Sequence, residues 1–242
     1  VQYYFITGTS RGIGKALAER ALQEKNAQVI GFSRQQSIEH ERYTHHTIDL
    51  SDVSNLGKII DQVFVQLADA ERIVLINNAG TLGDVKYFGS IADEKIDQLF
   101  SLNVSAPAIL MNHFILQYRD VSAERIIINI SSGVSQYPVD GWSGYCASKA
   151  ALDMLTEVAA LELEKQNVKN FRVYAVAPGV VDTQMQTDIR GSDEQNFSRL
   201  QKFKDYKKSG KLNDPTEVAE KYFYLMNHPE KFQEVRQDVR EF

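Results

Sequence analysis

The chain has 242 residues, 43% hydrophobic and 24% charged, a composition and length that give an ordinary globular core without a disulfide or metal staple. Lys and Arg number 27 against 32 Asp and Glu, and the net charge of −5 excludes the basic excess that would draw nucleic acid or an anionic membrane. The single Cys allows no intrachain disulfide, no His/Cys group has zinc spacing, and no uninterrupted apolar run approaches the roughly 18 residues of a membrane span.

In chain order, short β-branched runs alternate with longer helical stretches. Strands are predicted over 3–6, 28–33, 45–48, 73–76, 126–130 and 172–176, and helices over 12–25, 54–68, 93–119 and 143–165. Runs such as Ile126-Ile127-Ile128 are apolar without alternation, as strands covered on both faces require. The repeated βαβ pattern, with no linker or low-complexity tract, predicts a single α/β domain over 1–242: a doubly wound, Rossmann-type parallel sheet in three α/β/α layers. Residues 184–210 break the pattern. They are polar and too long for a plain connection, and are expected to form a flap over an active site. The opening segment, Val1 to Thr7, has neither the charged start nor the apolar run of a signal peptide, so a cytoplasmic protein is expected.

Several residues carry chemistry. After the first strand stands Thr7-Gly8-Thr9-Ser10-Arg11-Gly12-Ile13-Gly14, then a helix. Glycines there let the backbone turn and approach a pyrophosphate, which the helix N-terminus stabilises. A nucleoside-triphosphate loop is excluded, because Lys15 is followed by Ala16 where a Mg²⁺-binding hydroxyl is needed. Tyr145 and Lys149 stand four apart in a predicted helix and share a face; an ammonium beside a phenol favours the phenolate. Ser132, at a strand end, can hydrogen-bond a substrate oxygen as charge develops on it. Cys146 has no basic partner and is read as packing. His45 and His46 point to opposite faces of a strand and cannot share a metal; no metal site is expected.

The spacing T-G-x-x-x-G-x-G, followed by Asn77-Asn78-Ala79-Gly80 after the fourth strand, Asn103, Ser132, Tyr145-x-x-x-Lys149 and Pro178-Gly179-Val180-Val181-Asp182-Thr183, resembles the short-chain dehydrogenase/reductase family over essentially the whole chain. The resemblance implies a catalytic set of Asn103, Ser132, Tyr145 and Lys149, with the Lys also holding the nicotinamide ribose and the Asn keeping a proton-relaying water. It further implies cofactor contacts from Gly8, Ser10, Arg11, Gly12, Ile13, Gly14, Arg34, Asp49, Leu50, Asn77, Ala79, Gly80, Pro178, Val181 and Thr183.

Within the family, the segments 141–155 and 181–186 are similar to those of sepiapterin reductases and bacterial benzil reductases. This implies an NADPH-dependent reduction of a ketone or 1,2-dicarbonyl to an alcohol, with substrate contacts from Ser132, Trp142, Tyr145, Met185 and the tail residue Glu241. Two alternatives stay open: a 3-oxoacyl-carrier-protein reductase, and a non-catalytic NADPH-sensing regulator on the same fold. NAD-dependent members place an acid at the end of the second strand, whereas here that strand ends Gly31-Phe32-Ser33-Arg34; with Arg11, Arg34 offers guanidinium forks to a 2′-phosphate, so NADP is expected. The expected partners are a small carbonyl substrate and a second copy of the chain in a homodimer, with neither nucleic acid nor membrane.

Overall fold

A computed structural model describes residues 1–242. Seven strands pair in parallel: β1 (Gln2–Thr7), β2 (Ala27–Ser33), β3 (Tyr43–Thr47), β4 (Arg72–Asn77), β5 (Glu124–Ile130), β6 (Phe171–Ala177) and β7 (Arg236–Asp238). Their order across the sheet is β3-β2-β1-β4-β5-β6-β7, so the winding reverses between β1 and β4. The helices are α1 (Gly12–Leu22), α2 (Leu56–Val63), α3 (Asp93–Phe100), α4 (Ala106–Tyr118), α5 (Ser143–Lys165), α6 (Gln184–Arg190), α7 (Leu200–Lys208) and α8 (Pro215–Asn227).

The period of two along each strand divides the core between the two faces. Tyr4, Ile6, Val74, Ile76, Ile126 and Ile128 pack with Leu17 of α1 and Tyr222 and Phe223 of α8. Phe5, Ile73, Leu75 and Ile127 pack on the other side with Leu56 and Ile60 of α2 and Phe114 and Tyr118 of α4. This is why the strands read as continuous apolar runs. Two helices end earlier than their patterns suggest. α1 stops at Leu22 because Arg42 reaches across to take the carbonyls of Leu22 and Glu24, at 2.6 and 2.5 Å, in place of a further helical turn. α2 stops at Val63 because Phe64 leaves the helix to lie 4.9 Å from Phe5 and 5.7 Å from Phe114, ring centroid to centroid.

α3 and α4 form one continuous helix over Asp93–Tyr118, joined by a π-helical turn, Ser101–Ser105. An 18-residue window of this helix has a mean hydropathy of 1.4, long and apolar enough by those criteria to cross a membrane, although polar residues interrupt its apolar run. Its inner face is packed on the sheet through Leu110, Met111, Phe114 and Tyr118.

Segment 184–210 is largely helical, comprising α6, a short 3₁₀ turn and α7. It is anchored by Phe197, which is fully buried and stacked on Trp142 at 5.0 Å. The fit leaves no room at Gly141: its φ is +75°, and a Cβ there would meet the Asn196 carbonyl oxygen at 2.2 Å.

Candidate active site

The C-terminal ends of β1, β4, β5 and β6 converge at the switch point, where ligands bind in open α/β sheets. Gly8 (φ +73°) and Gly12 (φ +57°) turn the chain from β1 into α1, and a Cβ on Gly14 would lie 2.3 Å from the Gly8 carbonyl oxygen. α1 begins at Arg11 with no side-chain cap and no acid in its first turn, so its N–H groups are open to an anion. The turn is fixed from beneath. Thr7 Oγ1 accepts from the backbone N–H groups of Asn78 and Ala79, both at 2.9 Å, and Asn78 Nδ2 donates to the carbonyls of Thr7 and Gly8.

Of the residues expected at a cofactor, Ile13, Pro178, Val181 and Thr183 line the cleft beside Ser132 and Tyr145, and Gly12 approaches Thr183. Gly80 abuts Asn103 and Lys149: a Cβ there would lie 3.3 Å from Asn103 Oδ1 and 3.8 Å from Lys149 Nζ. Ser10 and Arg11 lie in the turn before α1, and Arg34 follows β2; both arginines are exposed, and neither makes a salt bridge. Asp49 accepts from Ser51, whose hydroxyl and N–H hold its carboxyl below the usual range, with the Arg34 charge nearby adding to the effect. Leu50 is buried in the core beside Phe32. Asn77 departs from expectation. Its side chain turns into the sheet and donates to Asn129 Oδ1 at 2.8 Å, which leaves Asn78 to shape the turn.

The four proposed catalytic residues are brought together from three elements, the π turn, the end of β5 and α5. Asn103, fully buried in the π turn, clasps the main chain of Thr81: Nδ2 donates to its carbonyl at 2.8 Å and Oδ1 accepts from its N–H at 2.9 Å. Nδ2 also donates to Ser148 Oγ at 3.1 Å, which ties the loop after β4 to α5. Asn103 thus commits its side-chain amide to protein partners, so a water held there would have to use other groups. Lys149 is buried, donates to the Ile130 carbonyl at 2.7 Å, and lies 5.8 Å from the centre of the Tyr145 ring. Burial drives its pKa down to about 8, opposed by the charge of Asp153. Burial likewise pushes the Tyr145 phenol up to about 12, against the Ser132 hydroxyl, which favours the phenolate. The expectation of a phenol brought toward neutrality by its lysine meets a competing effect here, since burial disfavours the phenolate.

A cleft of about 250 Å³ opens above Ser132 and Tyr145. Trp142 packs edge-on against Tyr145 at 5.8 Å, and Trp142, Met185 and Phe203 supply its apolar wall. Glu241 is exposed and does not line it; the acid in the cleft is Asp238, three residues earlier. Asp238 caps the 3₁₀ turn Val239–Glu241 that carries Glu241 away, accepting from Arg240 N at 2.9 Å and Nε at 2.8 Å. Burial pushes the Asp238 carboxyl up, but Arg240 and the Lys221 charge outweigh it and hold the carboxyl below its ordinary value. Sequence reasoning also missed Tyr137, Arg199, Lys202 and Tyr206, which line the mouth. No group of His, Cys, Asp and Glu is placed to hold a metal ion.

The family profile described as short chain dehydrogenase matches residues 2–194. The chain belongs to the short-chain dehydrogenase/reductase family. It is 34% identical over 223 residues to a benzil reductase, (S)-benzoin forming, of Bacillus subtilis, covering 90% of each chain. It is 32% identical over 242 residues to sepiapterin reductase of Rattus norvegicus, covering 91% of this chain and 89% of the other. Among solved structures, the KRED1-Pglu enzyme superposes with a TM-score of 0.81 at 28% identity, over 93% of this chain and 94% of that one. As a member of this oxidoreductase family, the chain is built for a nicotinamide cofactor, and the uncapped α1 terminus with its glycine cradle fits one.

Proposed function

We propose that the chain is an NADPH-dependent carbonyl reductase that converts an aryl ketone or 1,2-dicarbonyl into an alcohol. The observation that carries the reading is the Tyr145 phenol, buried on α5 four residues before the buried Lys149 and lining, with Ser132, an aromatic-walled cleft; burial raises the phenol and so favours its protonated form. A general acid for carbonyl reduction must hold its proton until the oxygen needs it. The bound nicotinamide would supply the hydride. Tyr145 donates its proton to the carbonyl oxygen, and the Ser132 hydroxyl stabilises the charge growing there. Lys149, held by the Ile130 carbonyl, stabilises the phenolate left behind, and Asn103 fixes the loop around Gly80 against α5. The names of the relatives favour the same substrate class.

A pterin substrate is the second reading, favoured by Asp238 in the cleft. It would need Asp238 to give up its contacts with Arg240. The deciding experiment is NADPH oxidation with benzil and with sepiapterin. Benzil is expected to show the higher kcat/KM; a higher value for sepiapterin, lost in Asp238→Asn, decides for the pterin, and turnover of neither above the Tyr145→Phe background removes the reductase reading.

We propose further that two copies associate through the outer faces of α4 and α5. Leu116, Met154 and Leu161 are 69%, 54% and 49% exposed there, apolar side chains that a partner helix pair would cover.

A further inference from the structure

The cleft carries two cations that no carboxylate neutralises. Arg199 and Lys202, one turn apart at the start of α7, both line it. Arg199 lies over the Tyr137 ring at 5.7 Å, and Lys202 over Tyr206 at 5.7 Å. Neither has a carboxylate within salt-bridge distance, because the acids of this region are engaged elsewhere. Asp140 accepts from Ser198 N and Oγ, both at 2.8 Å; Asp182 pairs with Lys207 at 2.5 Å; Asp205 accepts from Gln201 at 2.9 Å. Asp238, the acid inside the cleft, is matched by Arg240.

Deeper in, Trp142 is buried, and its Nε1 has no hydrogen-bond partner in the protein. Aromatic rings mark the path between these groups. Trp142 touches Tyr145 at 5.8 Å and Phe203 at 5.4 Å, and Phe203 touches Tyr206 at 5.8 Å, beneath Lys202. The wall that begins at Tyr145 thus ends under Lys202, one helical turn from Arg199.

Resting on the reductase reading above, we infer that the preferred substrate carries a carboxylate at the far end of a flat apolar body from the carbonyl that is reduced, and that Arg199 and Lys202 bind it. Guanidinium and ammonium groups beside a carboxylate make charge-assisted hydrogen bonds about twice as strong as neutral ones. A neutral aryl diketone makes the wall contacts and leaves the two cations unused.

The test compares benzil para-carboxylic acid with its methyl ester, which share the body and the reactive carbonyls and differ in charge. In NADPH oxidation the acid is expected to have about a tenfold higher kcat/KM, a difference of about 1.4 kcal/mol. The ratio should fall toward one in the double variant Arg199→Gln/Lys202→Gln, and it should shrink as salt rises from about 0.05 to 0.5 M. An ester equal to or better than the acid overturns the inference, as does a ratio that survives the double substitution. Trp142 is the chain's one tryptophan, so its fluorescence reports occupancy of the cleft without turnover. Titrated with either compound in the presence of NADP⁺, the protein should bind the acid about tenfold more tightly. Tighter binding of the acid with no reduction of either compound supports the anion site and removes the reductase reading; reduction of both with equal binding does the reverse.

Discussion

The Ser131 hydroxyl donates to the carboxylate of Asp153, which stands one helical turn beyond Lys149 on α5 and is 3% exposed. The residue before Ser131, Ile130, offers its carbonyl to Lys149, so a single strand end holds both the ammonium and the carboxylate. Arg236 faces the outer side of Asp153 at 3.9 Å and is itself drawn to Glu157 at 2.5 Å. Asp153 is thus the buried negative charge that offsets part of the cost of burying Lys149.

Asp153→Asn keeps an oxygen for Ser131 and removes the charge. With Arg236, Glu157 and Tyr145 unchanged around it, Lys149 should lose its proton at lower pH. The fall of kcat/KM for NADPH, which reports the free enzyme and is expected as pH rises through about 8, should then move down by about one unit. If Asp153 only packed, the variant would lose stability or rate with the profile unmoved.

Lys149 itself costs the fold stability. Its folded pKa of about 8 lies below the unfolded value, so below pH 8 the native state carries a buried charge at a penalty on the order of 3 kcal/mol. Between about pH 8 and 10.4 the unfolded chain binds more protons than the folded one, and stability rises with pH until the penalty is gone. Lys149→Met should therefore raise Tm at pH 7, by an advantage that shrinks as pH climbs through that window, while abolishing turnover. Thermal melts at pH 7 and pH 10 check this; a variant less stable than wild type at both would show the lysine to be a net stabiliser.

Tyr145→Phe removes the proton donor and little of the cleft. Turnover should fall by about 10² to 10⁴, with NADPH affinity, measured by titration calorimetry, changed only a few fold. With burial pushing the phenol up to about 12, no fall of rate from Tyr145 deprotonation is expected in wild-type carbonyl reduction between about pH 6 and 8. A variant with more than about a tenth of wild-type kcat would remove Tyr145 from the chemistry.

How far the sequence carried depended on whether local pattern or tertiary contact decided the outcome. α5 runs Ser143–Lys165 as its pattern predicts, because one long apolar period defines it. β7 was not legible: Arg236-Gln237-Asp238 is three polar residues, and only pairing with β6 makes them a strand. The orientation of Asn77 was legible and overlooked, since it has the parity of Ile73 and Leu75 and must face the same side of the sheet as Asn129, its register partner. Asp153 was also within reach, four residues past Lys149 on one helix face. Asp238 was not, because the turn it caps is what moves Glu241 out of the cleft.

Association through α4 and α5 is open to direct test. Sedimentation at micromolar concentration should show a dimer, and Leu116→Glu together with Met154→Glu should yield monomers. A wild-type chain that sediments only at 27.4 kDa would end the proposal.

The choice of cofactor rests on Arg11 and Arg34. Both are exposed beside the glycine turn and the end of β2, with no salt-bridged carboxylate to neutralise them, and no acid stands at the end of β2 for a ribose 2′-hydroxyl. A guanidinium binds phosphate oxygens two at a time, a contact that NADH, lacking the 2′-phosphate, cannot make. The Asp49 carboxylate, which feels the Arg34 charge, is already engaged by the Ser51 hydroxyl and N–H. Arg34→Ala should therefore raise KM for NADPH by at least about tenfold and leave that for NADH nearly unchanged, a discrimination of about 1.4 kcal/mol or more. Steady-state kinetics with both cofactors decides the matter: equal losses would mean that Arg34 contacts a part of the nucleotide the two share, and that the preference for NADP lies elsewhere.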